Sequence, residues 1–157
     1  MKRLALFKGG MSQIFFVAII ALLSSCHVLL IGAYDEVTDQ SIQQIQNEVT
    51  TLVVTLERNI DGDKKEENDY KLFSNDYKVL SGQVESLKIR CGAIPKYGII
   101  ISQVNLLASN LTIFEKYHRE SGFDSKKELE TFKSGFESQF TSMITLQIGL
   151  KKEKNTY

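Results

Sequence analysis

Apolar residues recur at steps of three and four positions in four segments of this chain, a spacing typical of amphipathic helices. The first two segments carry their apolar stripes at Ile42, Ile45, Val49, Leu52, Leu56 and Ile60, and at Tyr70, Phe73, Tyr77, Leu80, Val84, Leu87 and Cys91. The last two carry theirs at Ile100, Val104, Leu107, Leu111 and Phe114, and at Leu129, Phe132, Phe136, Phe140, Met143 and Leu150. The pattern therefore predicts four helices and no strand of comparable quality.

Residues that stop or start helices lie between these segments. Gly62 follows the first stripe and is expected to supply a left-handed C-terminal cap. Pro95 ends the second helix, because proline has no backbone N–H to continue the ladder. Gly122 follows the third helix, whose start is left open between positions 95 and 102. Ser125 and Glu128 match the capping box that opens a helix.

Short connections make neighbouring helices run in opposite directions, so the predicted fold is all-α, an antiparallel up-down-up-down four-helix bundle over residues 35–150. Bundling is required because each apolar stripe is stabilising only when another helix covers it. Residues 151–157 are expected to form a frayed tail. Two glycines, Gly82 and Gly135, fall inside helices, and close approach of a neighbouring helix is one explanation for them.

The N-terminus has the features of an export signal. Lys2, Arg3 and Lys8 precede an apolar stretch from Ile14 to Leu23, which is the organisation of a secretory signal peptide. A stretch of about ten residues is too short to span a bilayer as a helix, which takes about 20 residues.

The sequence Leu23-Ser24-Ser25-Cys26 directly follows this stretch. It resembles the bacterial lipobox, in which cleavage leaves a cysteine as the acylated first residue. We therefore expect a lipoprotein-type signal peptide over residues 1–25, lipid attachment at Cys26 and a lipidated tether over residues 26–34. Several acyl chains on one cysteine hold a protein to a membrane without a spanning helix. His27 favours the outer membrane, since an Asp after the cysteine would suggest inner-membrane retention.

An uncleaved anchor is the alternative interpretation of the same region. Apolar residues continue after Cys26, so the stretch from Ile14 to Ala33 is 20 residues long. Polar residues at positions 24–27 interrupt it near its middle, which disfavours a spanning helix. In both interpretations the basic residues before position 10 stay in the cytoplasm and the rest of the chain is exported.

Charge and length exclude several classes of protein. The 157 residues suffice for one domain, and 19 basic residues balance 19 acidic ones. Removal of residues 1–25 takes three of the 19 basic residues and no acidic one, leaving 16 against 19. A basic surface for nucleic acid is therefore not expected.

The residues that suggest chemistry favour structural roles, and we predict no enzyme, cofactor or metal site. Glu115 and His118 match the Glu-x-x-His step of di-iron bundles, but the second motif is missing because the other histidine is His27. His118 is expected to bond terminal carbonyls at a helix end. Cys91 lies on an apolar stripe and is expected to be a buried thiol. The acidic segment 61–69 lacks the spacing of a calcium loop and is predicted to be a solvated turn.

Three motifs, Tyr34-Asp35-Glu36-Val37-Thr38-Asp39, the segment 90–96 around Pro95, and Phe140-Thr141-Ser142, resemble those of small uncharacterised helical lipoproteins of Gram-negative bacteria. The resemblance spans most of the exported chain and implies its location and fold. It transfers no active site, because that family has no established activity. The chain departs from the pattern at Gly92 and in the Ile-rich segment before the third helix.

Apolar residues outside the four stripes suggest a surface for a protein partner. They are Val53, Val54, Leu72, Val79, Ile89, Leu106, Ile113, Leu146 and Ile148. A broad core-facing stripe would also explain them. The expected function is a non-catalytic protein-binding or structural module of the cell envelope, including immunity or exclusion proteins. The alternative is a carrier of a small ligand or lipid in a bundle cavity, for which the Phe stripe of the fourth helix is a candidate lining.

Overall fold

The computed structural model describes residues 31–123 and 125–156 of the chain, and it confirms the all-α prediction for them. The first helix, α1, spans Glu36–Asp61, and α2 spans Tyr70–Ala93. A short 3₁₀ turn, Lys65–Asn68, lies between them. The third helix, α3, spans Gly98–Glu120, and α4 spans Lys126–Lys154.

The four helices form the predicted antiparallel bundle. Helix α1 packs against α2 and α4, and α3 packs against the same two helices from the other side. Each helix therefore has two neighbours, and the order around the bundle is the order along the chain. Among the described helices, none combines the length and the apolar character needed to cross a membrane.

The predicted apolar stripes form the core. Leu56, Cys91, Ile100, Phe114 and Met143, which come from all four helices, each have 0% of their surface exposed. Ile60, Tyr70 and Phe132 also belong to the stripes but are only half-buried. A buried large apolar side chain stabilises the fold by roughly 1.5 to 3 kcal/mol, so the core accounts for why these helices associate.

Two predictions about helix boundaries need correction. Gly62 has a φ of −78° and supplies no left-handed cap, whereas Asp63 takes the left-handed conformation with a φ of 53°. Helix α4 continues to Lys154, so most of the predicted frayed tail is helical. Basic residues in its last turn, Lys151 among them, complement the negative end of the helix dipole and support this extension.

The predicted starts of the last two helices are confirmed, but the explanation offered for two glycines inside helices is wrong. Ser125 and Glu128 form the capping box, with the Ser125 backbone N–H donating to Glu128 Oε2 at 3.2 Å. Helix α3 begins at Gly98, within the range left open by the sequence. A methyl group added at Gly82 or Gly135 would have no atom within 4 Å, so close helix approach does not explain these glycines.

Candidate functional site

The predicted signal peptide and Cys26 lie outside the described residues, so the candidate site begins where the described chain begins. Four residues lie between Cys26 and Ile31, and the five steps from one Cα atom to the next span at most about 18 Å. We call residues 31–35 the tether base. Its contacts determine at which end of the bundle the described chain begins.

The tether base is held against the connection between α2 and α3. The Gly32 N–H donates to Lys96 O at 3.1 Å, and Tyr97 Oη donates to Ala33 O at 2.8 Å. A Cβ atom on Gly32 would overlap Pro95 O and lie 2.5 Å from the Tyr97 ring. Glycine is therefore required at position 32 for this close approach.

Asp35 links the tether base to two helices at once. As the N-cap of α1, its Oδ2 accepts hydrogen bonds from the Thr38 N–H at 2.9 Å and the Thr38 hydroxyl at 2.7 Å. Arg90 of α2 donates to the same carboxylate from Nε and Nη2, both at 2.7 Å. The bonds from Arg90 are the main reason that the pKa of Asp35 lies well below its usual range.

Tyr34 extends this network to α4. Its hydroxyl donates to Asp39 Oδ2 at 2.8 Å, and this bond raises the pKa of Tyr34 to about 12. The amino groups of Lys151 and Lys154 lie 5.6 and 5.5 Å from the centre of the Tyr34 ring, within range of a cation–π interaction. The motifs at 34–39 and 90–96 thus meet at one end of the bundle, which we call the tether end.

His118 lies near the opposite end and is 2% exposed. Its Nε2 is 2.7 Å from the backbone oxygen of Asn68, and its Nδ1 is 2.8 Å from Tyr77 Oη. A carbonyl oxygen can only accept, so Nε2 carries the proton and Nδ1 accepts from the Tyr77 hydroxyl. His118 therefore joins α3 to α2 and to the 3₁₀ turn, and the expectation that it bonds carbonyls at its own helix end is wrong.

The surroundings of His118 are aromatic. The rings of Tyr70, Phe73, Tyr77 and Phe123 have centres between 5.2 and 5.8 Å from the imidazole centre. Burial among them lowers the pKa of His118, because the charged form is poorly solvated there. In the part of the chain that the structure describes, no group of three or more His, Cys, Asp or Glu side chains could hold a metal ion.

Cys91 is a buried free thiol, as its position on the α2 stripe predicted. Burial is the main reason that its pKa is raised, so the thiolate is disfavoured. This environment suits a small core residue and does not activate a nucleophile.

The apolar residues outside the stripes divide into three groups. Val53 belongs to the core at 3% exposure, and Val54 and Leu146 are half-buried, so a broad stripe explains these three. The remaining residues are between 45% and 68% exposed: Leu72, Val79, Ile89, Leu106, Ile113 and Ile148. The sequence interpretation missed two further exposed residues, Val37 and Ile99, at 46% and 54%. Ile99, Leu106 and Ile113 follow one another at intervals of seven residues, so helical periodicity could have assigned Ile99 to the same face of α3 as the other two.

A groove runs between α1 and α2. The groove consists of two adjoining hollows of about 580 and 490 Å³, and Val79 of α2 lines both of them. The lining combines apolar side chains with small and polar ones: Val37, Ser41, Gln44, Glu48, Val79, Gly82, Gln83 and Ser86. Gln83 Nε2 donates to Glu48 Oε1 at 2.8 Å, while Gln83 Oε1 is shielded from solvent without a hydrogen-bond partner. The groove therefore offers apolar surface beside small and polar side chains.

No protein-family model, curated protein or solved structure matches this chain. Neither a family nor an activity is therefore carried over from a relative.

Proposed function

We propose that this chain is an exported lipoprotein, held to the membrane by acyl chains on Cys26, whose bundle acts as a non-catalytic binding module in the cell envelope. The observation that carries the proposal is Leu23-Ser24-Ser25-Cys26 at the end of an export signal. His27 favours the outer membrane, with the bundle facing the periplasm. The bundle supports the proposal because its first helix, α1, begins at Glu36, ten residues after Cys26.

Substitution of each cysteine tests the anchor. Cys26→Ser is expected to abolish acylation and to prevent lipoprotein-type cleavage before position 26. Cys91→Ser is the matched control, because it removes the other thiol and leaves Cys26 in place. The proposal predicts incorporation of labelled fatty acid into the Cys91→Ser protein and none into the Cys26→Ser protein. Equal membrane attachment without label in both would instead support the uncleaved single-pass anchor.

The groove between α1 and α2 supports a binding role for the bundle. Exposed Val37 and Val79 flank it, and Gly82 and Ser86 leave room for a side chain from outside. These features suit an amphipathic helix of a protein partner, which places apolar anchors at steps of three and four residues. An envelope assembly protein, or an exported toxin or exclusion target, would be recognised in this way.

Filling the groove tests this role. Gly82→Leu places a large side chain in the groove, and Gly135→Leu makes the same change on α4, where Gly135 lies beside α3. Neither glycine has a neighbouring atom within 4 Å of an added Cβ, so both variants are expected to fold. When proteins are crosslinked in intact cells, the Gly135→Leu protein should still be recovered with a stoichiometric partner, and the Gly82→Leu protein should not. The same crosslinked partner in both variants would contradict a role for this groove.

A carrier of a small ligand or lipid is the second candidate. The sequence suggested a cavity inside the bundle for this role, whereas the hollow between α1 and α2 is open to solvent. Its volume of about 580 Å³ falls within the roughly 300 to 1,000 Å³ of ligand pockets, and this volume favours the carrier. Native mass spectrometry of protein purified from cells distinguishes the two functions. A bound small molecule of constant mass that Gly82→Leu removes supports the carrier, and a protein partner supports the binding module.

A further inference from the structure

Four exposed lysines lie at the tether end of the bundle. Lys96 is next to Tyr97 in the α2–α3 connection, and its backbone oxygen accepts from Gly32 of the tether base. Lys151, Lys152 and Lys154 come from the last turns of α4, two of them beside the Tyr34 ring. The amino groups of Lys151 and Lys154 therefore lie beside the tether base, at the end where the described chain begins.

The carboxylates at this end are largely engaged within the fold. Asp35 is held by Arg90, and Asp39 is 9% exposed and accepts from Tyr34 and from Gln43. Glu36 is exposed and Glu153 is half-buried. Among the described residues at this end, the exposed lysines outnumber the exposed carboxylates, of which Glu36 is one, so the described surface is positive toward an approaching charge.

We propose that the tether end is a docking surface for anionic lipid headgroups, so that the bundle rests with this end on the membrane to which Cys26 holds it. The inference rests on the proposed lipid anchor for its location. The reach of at most about 18 Å from Cys26 to Ile31 allows the lysines to approach the membrane surface to within the about 8 to 10 Å over which electrostatic attraction acts. A basic residue near an anionic membrane strengthens binding by about fivefold, which corresponds to about 1 kcal/mol.

The far end of the bundle provides an internal control. Lys64, Lys71, Lys116 and Lys127 are exposed there. Helix α4, with 29 residues, is about 43 Å long, so these lysines are several screening lengths away from the tether end. Contact with a membrane through the tether end should leave them unaffected.

Amine acetylation of the full chain tests the surface. Protein purified from membranes is reconstituted into vesicles of phosphatidylcholine alone, or with about a quarter of the lipid as anionic phosphatidylglycerol. We expect acetylation of the four tether-end lysines to slow by about fivefold or more in anionic vesicles at about 0.05 M salt, and to recover at about 0.5 M salt. The far-end lysines should react equally in both vesicles. Equal rates for the tether-end lysines in the two vesicle types, or equal slowing at both ends, would overturn the proposal.

Hydrogen exchange of charge variants provides a second readout. Replacing the four tether-end lysines with Gln should remove the slowing of amide exchange that anionic lipid causes at residues 92–98. Replacing the four far-end lysines with Gln should leave that slowing intact, and slowing in both variants would contradict a role for the tether-end lysines. Intact mass of the same protein shows whether Cys26 is acylated, so failure of the anchor is distinguished from failure of the docking surface.

Discussion

Replacing Tyr77 by Phe removes one hydroxyl from the buried His118 site and keeps the aromatic ring. Tyr77 and His118 are each 2% exposed, and the 2.8 Å bond between them is the one that satisfies His118 Nδ1. Without the hydroxyl, Nδ1 becomes a buried acceptor that water does not reach. An unsatisfied buried polar atom costs about 1 to 3 kcal/mol, so we expect the free energy of unfolding to fall by that amount.

Urea unfolding at pH 7.5 measures this loss. Tyr70→Phe is the control, since its hydroxyl donates to Glu115 Oε1 at 2.7 Å but the ring is only half-buried. Water can replace that hydroxyl as a donor to the carboxylate, so the control should lose less stability than Tyr77→Phe. A Tyr77→Phe protein that is as stable as the Tyr70→Phe protein would refute the inference that Nδ1 of His118 depends on this bond.

Three further predictions concern pH and the two ends of the bundle. The pKa of His118 is lowered in the folded protein, so the free energy of unfolding should be constant above about pH 6.5 and should decrease as the pH falls below that value. In urea unfolding measured as a function of pH, His118→Gln should reduce this decrease. The pKa of Asp35 is also lowered, so its stabilisation is present above about pH 3.9 and lost on further acidification, and Asp35→Asn should remove that acid-dependent loss in the same assay. Gly32→Ala should lower the thermal midpoint, because the added Cβ would overlap the Tyr97 ring. Gly82→Ala should raise the free energy of unfolding by about 0.5 to 1 kcal/mol, because its Cβ meets no neighbouring atom and alanine favours a helix over glycine.

The periodic parts of the sequence were sufficient to predict the helices and the core. Ile42, Leu80 and Val104 occupy stripe positions and are buried, because a helix with one apolar face has few other ways to cover it. The capping box at Ser125 was equally predictable, since both of its partners lie within one turn.

Contacts between distant residues carry no such local signal. Asp35 and Arg90 are 55 positions apart, and His118 bonds a backbone oxygen 50 positions away. Period and composition do not indicate which loop carbonyl a histidine will reach. Gly62 shows a related limit, because glycine permits a left-handed cap without requiring one, and Asp63 takes that conformation instead.

The intact mass of the protein extracted from membranes tests the lipid anchor at Cys26. Lipoprotein processing predicts a chain that begins at Cys26, lacks residues 1–25 and carries the added mass of acyl groups. An unprocessed chain that still begins at Met1, with no added acyl mass, would contradict it.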